Sequence, residues 1–274
     1  MSAAARGAVE VRPGRTIAWT AVGDGPPLLL VNGYAATGAD WDPSFLGLLA
    51  ARHRVICPDN AGLGGSELSA GEAVGGAEGM AADMLALLDA LAVERAAVVG
   101  WSMGGFVAQS LARSAPGRVT ALGLISTHTG GPDAVDGEPR VARELVDHSG
   151  TPRQQAARLI ALLFPPSVAP EADRRFGEIV AAARAELPER VLFMQEEALR
   201  SWHGRPASLT VLDPPVPTAI VHGGADTVVP PDNAAVLARF HPGARVEIRP
   251  ACAHAPMAQE PEPVAAAILA ATAG

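Results

Sequence analysis

Three residues able to act together in nucleophilic chemistry each follow an apolar, strand-like run. Ser102 lies in Gly100-Trp101-Ser102-Met103-Gly104-Gly105, Asp226 in Gly223-Gly224-Ala225-Asp226, and His254 in Ala251-Cys252-Ala253-His254-Ala255-Pro256. A serine hydroxyl is a weak nucleophile until a neighbouring base takes its proton. Histidine suits that role because it titrates near neutrality and can return the proton to a leaving group. A carboxylate behind the imidazole selects its tautomer and stabilises the imidazolium. The order Ser102, Asp226, His254 is one of the known chain orders for such a set.

The string Gly100-x-Ser102-x-Gly104 also has the form of a sharp strand-to-helix turn. Ala96, Ala97, Val98 and Val99 stop at a glycine, and an amphipathic stretch over 106–115 follows almost at once. A turn this tight holds its apical serine in a strained backbone conformation and leaves room for little beyond glycine beside it. The first amides of the following helix then point toward whatever the serine attacks.

Elements able to position these residues alternate along the chain. Strands are predicted over 8–11, 15–22, 27–31, 53–57, 96–99, 119–126, 217–222 and 244–248, and helices over 44–51, 77–92, 106–115, 231–240 and 262–271. The first two strands, joined by Pro13-Gly14, read as an antiparallel hairpin. Elsewhere strand and helix alternate, which predicts a mostly parallel α/β sheet with its site at the carboxyl ends of the strands. Asn32-Gly33-Tyr34, Asp59, Ser102 and Thr127-His128 all fall there. Between His128 and Pro214 the rhythm changes to helical patterns over 140–148, 153–164, 171–187 and 190–202, punctuated by proline. This interval reads as an all-helical insertion, so the chain divides into a core over 1–127 and 215–274 and an insertion over 128–214.

Composition narrows the alternatives. The 274 residues are 49% hydrophobic, enough for one large domain with an insertion, and the net charge of −8 disfavours nucleic acid or an anionic membrane as partner. All 21 basic residues are arginine, which removes lysine Schiff-base chemistry and a P-loop lysine. Two cysteines, Cys57 and Cys252, argue against a disulfide framework or a zinc site. With no signal-like or membrane-spanning apolar segment, the expected location is the cytoplasm. No cofactor and no metal is expected.

Taken together, Asn32-Gly33, the loop from Asp59 to Ser66, the Ser102 turn, Gly223 to Pro230 and His254 resemble the α/β-hydrolase fold family, over nearly the whole chain. The resemblance implies a mostly parallel, eight-stranded sheet flanked by helices, with 128–214 as an inserted helical cap. It also implies an oxyanion hole from the backbone amides of Tyr34 and Met103. Two positions depart from the family pattern: Asn32 where many relatives have histidine, and Ala61 where many have arginine. Asp133 or Asp136 stands as an alternative acid to Asp226. The expected activity is cleavage of a small, mainly apolar ester or lactone through an acyl-enzyme on Ser102, with His254 as base and Asp226 as orienting acid. Acyl transfer, perhydrolysis and C–C hydrolysis use the same set, and a ligand sensor can retain it. Leu162, Leu163, Phe164 and Trp202 are apolar candidates for the pocket roof, with core packing inside the insertion the expected place of most of them, and His128 is an open candidate for the pocket wall.

Overall fold

The computed structural model describes residues 4–273. In chain order the elements begin with β1 (Ala5–Arg12), β2 (Arg15–Val22), β3 (Pro27–Val31), α1 (Pro43–Ala50), β4 (Arg54–Pro58) and β5 (Glu67–Leu68). Then follow α2 (Gly76–Ala90), β6 (Ala96–Trp101), α3 (Met103–Ser114) and β7 (Val119–Ile125). Four consecutive helices come next: α4 (Pro139–Leu145), α5 (Pro152–Leu163), α6 (Ala169–Ala185) and α7 (Glu189–His203). The chain closes with β8 (Thr218–Gly223), α8 (Asn233–Phe240), β9 (Arg245–Arg249), α9 (Pro256–Gln259) and α10 (Pro261–Thr272).

The strands form one nine-stranded sheet in the order β1-β2-β4-β3-β6-β7-β8-β9, with β5 paired to β2. Pairing is parallel from β4 through β9, and only the contacts of β2 with β1, β4 and β5 are antiparallel. The expected count was eight. The ninth strand is the two-residue β5, which pairs with Arg15 and Thr16 where β4 no longer reaches along β2. Two residues carry no periodicity, so such a strand is invisible in a sequence. The helix after Ser102 starts at Met103, three residues earlier than the apolar pattern suggests, because Gly104 and Gly105 form its first turn without apolar side chains.

Alternate strand residues feed two apolar layers, as the twofold period of a strand requires. Leu29, Val31, Val98, Leu122 and Ile220 pack toward α2, α3 and α8, whereas Leu28, Leu30, Val99, Ile125 and Val221 pack toward α1 and α10. Both faces are covered, which is why these strands are continuous apolar runs.

One polar contact anchors the N-terminal hairpin to this frame. Asp83 of α2 is buried and takes Arg12 Nε at 3.0 Å and Arg15 NH1 at 2.7 Å, with Arg15 itself buried. Removing Asp83 leaves the buried Arg15 only the half-exposed Glu72, 3.5 Å away, and the Ala73 carbonyl, so the cost approaches that of a broken buried pair, about 3–5 kcal/mol. Asp83→Ala should therefore lower the unfolding free energy by that amount in urea titration. Replacing both partners, Arg15→Met with Asp83→Leu, should recover most of the loss, since no uncompensated buried charge remains.

Candidate active site

Ser102 caps the end of β6 at φ 54° and ψ −120°, outside the regions favoured for a side-chain-bearing residue. Such a conformation costs on the order of 1–3 kcal/mol and persists only where its surroundings hold it. Here Ser102 N–H donates to the Ile125 carbonyl at 2.9 Å, and the Ser102 carbonyl accepts from Gly105 N–H at 2.9 Å and Thr127 Oγ1 at 2.8 Å. The glycines are steric requirements. A Cβ on Gly100 would lie 2.2 Å from the Gly104 carbonyl oxygen, and one on Gly104 would lie 2.1 Å from that of Val31.

Asp226 and His254 meet Ser102 although they are 124 and 152 residues further along the chain. His254 Nε2 lies 3.0 Å from Ser102 Oγ, and His254 Nδ1 lies 2.8 Å from Asp226 Oδ2. The other Asp226 oxygen, Oδ1, accepts the Val228 and Val229 amides at 2.9 Å each. A carboxylate held as an acceptor on both oxygens requires the proton on His254 Nδ1 and leaves a lone pair on Nε2 facing the serine hydroxyl. Trp101 Nε1 donates to the His254 carbonyl at 2.8 Å and fixes the histidine loop from below. All three side chains are buried. Neither alternative acid meets His254: Asp136, on the wall of the same cavity, pairs with His203 at 2.9 Å, and Asp133 pairs with Arg239 at 2.5 Å.

The Asn32-Gly33-Tyr34 loop runs beside the serine. A Cβ on Gly33 would stand 3.5 Å from Ser102 Cβ. Neither the Tyr34 nor the Met103 amide is spent on a turn or cap hydrogen bond among the described residues. The departures from the family pattern both have local roles. Asn32 is buried and its Nδ2 donates to the Pro58 carbonyl at 2.8 Å, tying the loop to the end of β4. Ala61 is packed into the apolar layer under α2. Asp59 accepts the Gly38 amide at 2.7 Å and the Gly65 amide at 2.9 Å, a structural use of that carboxylate.

Ser102 opens onto a cavity of about 500 Å³. Phe106, Leu145, Val146, Leu199 and Val229 give it apolar wall, and Asp136, Glu138, Glu196, Arg200 and His203 also line it. Asp136 lies 2.9 Å from His203 and Glu196 lies 3.9 Å from Arg200, whereas Glu138 has no ion-pair partner among the described residues. Leu162, Leu163, Phe164 and Trp202 are absent from the lining; α4 and α7 supply it instead. Leu162 and Trp202 are buried in packing, Trp202 against the Phe106 ring with centroids 5.1 Å apart, and Phe164 borders a different depression. A helix heptad shows which residues are apolar, not which side of the helix meets the cavity and which the neighbouring helix.

His128 does reach this cavity. Its Nδ1 accepts the Gly130 amide at 2.9 Å, so the ring proton sits on Nε2. Burial, reinforced by the nearby His203, His222 and His254, holds its pKa down to about 3. His222, beneath the site, sits 3.7 Å from Asp226 and donates from Nε2 to the Val229 carbonyl at 3.1 Å; burial outweighs the aspartate and holds it to about 4. His241, whose two ring nitrogens have no partner among the described residues, is held to about 3 by burial and by Arg113.

These three histidines make stability pH-dependent, and the sign is fixed. Each is neutral in the folded protein but titrates near 6.5 when unfolded, so below about pH 6.5 the unfolded chain binds more protons. Acidification from pH 7 to 5 should therefore reduce the unfolding free energy. Each histidine adds a slope approaching about 1.4 kcal/mol per pH unit once the pH is well below its unfolded pKa. Urea titrations across that range should show His241→Leu with one proton less of slope than the parent.

Two residues essential to this picture carry no signal in the sequence. Gln195 and Glu196, side by side on α7, hold the loop beside Ser102. Gln195 Oε1 accepts the Ala35 amide at 2.8 Å, and Glu196 Oε1 accepts the Tyr34 hydroxyl at 3.1 Å. His148 completes the cluster, 2.8 Å from Glu196 and 3.0 Å from the Tyr34 hydroxyl. Burial, with Glu196 next, raises the Tyr34 phenol pKa, so the hydroxyl stays protonated and serves as a donor.

Comparison with known proteins agrees with this architecture. The model of the alpha/beta hydrolase family matches residues 28–267. Proteins named "Putative carbamate hydrolase RutD" are similar: that of Variovorax paradoxus is 36% identical over 168 residues, 60% of this chain and 61% of its own length, and that of Azorhizobium caulinodans is 32% identical over 229 residues, 82% of each. A pimeloyl-[acyl-carrier protein] methyl ester esterase of Aeromonas hydrophila is 29% identical over 249 residues, 88% of this chain and 92% of that protein. Among solved structures, a thermophilic esterase from Thermogutta terrifontis superposes with a TM-score of 0.74 at 27% identity, covering 97% of both chains. No helix among the described residues is long and apolar enough to cross a membrane. With its sheet order, its strained turn at Ser102 and a family match across nearly nine-tenths of its length, this chain belongs to the alpha/beta hydrolase family.

Proposed function

We propose that the protein cleaves carboxylic esters or lactones as a serine hydrolase. The observation that carries this reading is the unbroken hydrogen-bonded line Ser102–His254–Asp226 ending at a cavity of about 500 Å³. Ser102 Oγ attacks the substrate carbonyl while His254 Nε2 takes its proton. The resulting oxyanion faces the amides of Tyr34 and Met103, and donors so placed are typically worth about 2.7–4 kcal/mol each at the transition state. Collapse expels the alcohol, which receives its proton from His254, and leaves an acyl group on Ser102. A water then gives its proton to His254 and attacks the acyl carbon, releasing the acid and restoring the serine.

Residues 128–214 act in this reading as a cap over a core of 1–127 and 215–274, because α4 and α7 supply the far wall of the cavity. The apolar wall favours a small, mainly apolar substrate, and the acidic Asp136, Glu138 and Glu196 on the rest of the lining disfavour an anionic one. The neutral His128 adds one N–H donor for an oxygen on it. The esterase relatives support an ester, and the carbamate name of other relatives adds a second acyl class to be tried.

The test is direct. A fluorophosphonate probe should label one residue, Ser102, and p-nitrophenyl acetate and butyrate should be turned over in proportion to the unlabelled fraction. A matching aryl carbamate series ranks the two acyl classes. Absence of both labelling and ester turnover would defeat the proposal.

A further inference from the structure

The loop beside Ser102 is anchored at both ends, and one anchor comes from the helical insertion. Upstream of Tyr34, Asn32 donates to the Pro58 carbonyl at 2.8 Å. Downstream, the Ala35 amide donates to Gln195 Oε1 at 2.8 Å. Ala35 is one of few non-glycine residues at positive φ, 56°, a conformation that needs support from its neighbours. Gln195 is fully buried, 160 residues away in the chain, and its oxygen is oriented by an N–H donor, so the amide cannot be reversed without facing two donors. The next residue, Glu196, holds the Tyr34 hydroxyl at 3.1 Å. Glu196, Leu199, Arg200 and His203 follow one another at helical spacing along the cavity wall. One helix therefore both faces the substrate cavity and grips the peptide units around the Tyr34 amide.

We infer that Gln195 is a positioning residue: by holding the Ala35 amide it sets where the Tyr34 amide points, so stabilisation of the oxyanion depends on the placement of α7. This rests on the hydrolase reading above. Gln195 touches neither Ser102 nor the cavity. Its influence should thus fall on the transition state and not on substrate binding, and misplacement of a catalytic group by about 1 Å can reduce the rate about 100-fold.

Gln195→Met preserves the length of the side chain and removes the acceptor; Gln195→Glu, assayed at mildly acidic pH where a fully buried carboxyl is held neutral, keeps an acceptor oxygen in the same place. With p-nitrophenyl butyrate, Q195M should lose about 10- to 100-fold in kcat with KM changed by less than about threefold. Its affinity for butylboronic acid, whose adduct on serine is tetrahedral and carries the oxyanion-site oxygen, should fall by a similar factor. Q195E should recover most of both. If Q195M fails to fold, Q195N withdraws the same oxygen by one carbon and is read in the same way. Unchanged kcat and boronate affinity in a folded Q195M or Q195N would overturn the assignment, as would a loss confined to KM or an equal loss in Q195E. A parent protein that is neither labelled by fluorophosphonate nor active on esters overturns the hydrolase reading and this one with it. A parent that is active beside an indifferent Q195M overturns only this one.

Discussion

Ser102→Ala is expected to lower kcat/KM on p-nitrophenyl butyrate by on the order of 10⁶-fold and to abolish fluorophosphonate labelling. The loss is that large because, in the proposed mechanism, the serine oxygen forms the bond to the acyl carbon. His254→Ala added to Ser102→Ala should then cost little more, since the two groups act as a unit and their effects do not add. The fold should survive. Alanine fits the space of serine, and the lost Oγ contact is a single hydrogen bond to His254 at 3.0 Å. The backbone at φ 54° remains unfavourable for alanine. Ser102→Gly should therefore be equally inactive yet more stable than the alanine variant, by about 1 kcal/mol, since glycine tolerates positive φ. Thermal unfolding of the pair separates the backbone strain from the chemistry.

Asp226→Asn should reduce kcat by about 10⁴-fold with little change in folding. The reason lies in the two amides on the far side of the side chain. Val228 and Val229 donate to Oδ1 at 2.9 Å each, so the asparagine oxygen must take that position. Its NH₂ then faces His254 Nδ1, where the carboxylate oxygen Oδ2 stood at 2.8 Å. A donor there makes Nδ1 an acceptor and moves the ring proton to Nε2, toward Ser102. A histidine in that tautomer cannot accept the serine proton. Asp226→Ala removes the wrong donor as well as the right acceptor, so it should retain more activity than Asp226→Asn when both are folded. Pre-steady-state acylation rates measured with p-nitrophenyl esters would show the order of the two.

Much of this arrangement is legible before any coordinates. The Ser102 turn is local: an apolar run, glycine, serine and glycine within a few residues specify a tight strand-to-helix reversal, and the steric need for Gly100 and Gly104 is visible in the letters. Asp226 and His254 are legible for a different reason. Each follows a strand of a parallel sheet, and parallel connectivity sends all such loops to one edge. The sheet order itself, with β5 appended to β2, depends on which edges remain free after the longer strands have paired.

The insertion shows where such reading stops. Its four helices are evident from periodicity and proline, yet periodicity leaves Leu162, Leu163, Phe164 and Trp202 between a cavity roof and core packing, and it gives no sign that Leu145, Val146, Glu196 and Leu199 build the wall. An amphipathic pattern states that a face is buried without naming the surface that buries it. Gln195 illustrates the point further, because a polar residue on a predicted helix reads as solvated surface, whereas packing places it wholly out of water against Ala35.

The sequence by itself determined the residues on which the proposed chemistry rests: a serine on a forced turn, with an acid and a histidine on later strand-end loops, follows from short-range sterics and from the topology of alternating strands and helices. Only the tertiary structure decided what surrounds that chemistry. The tautomer of His254, the anchoring of Asn32 on Pro58, the neutral His128 and the grip of α7 on Tyr34 and Ala35 all depend on contacts between segments up to 162 residues apart. Those contacts are selected by how whole surfaces fit, and no local run of residues encodes them.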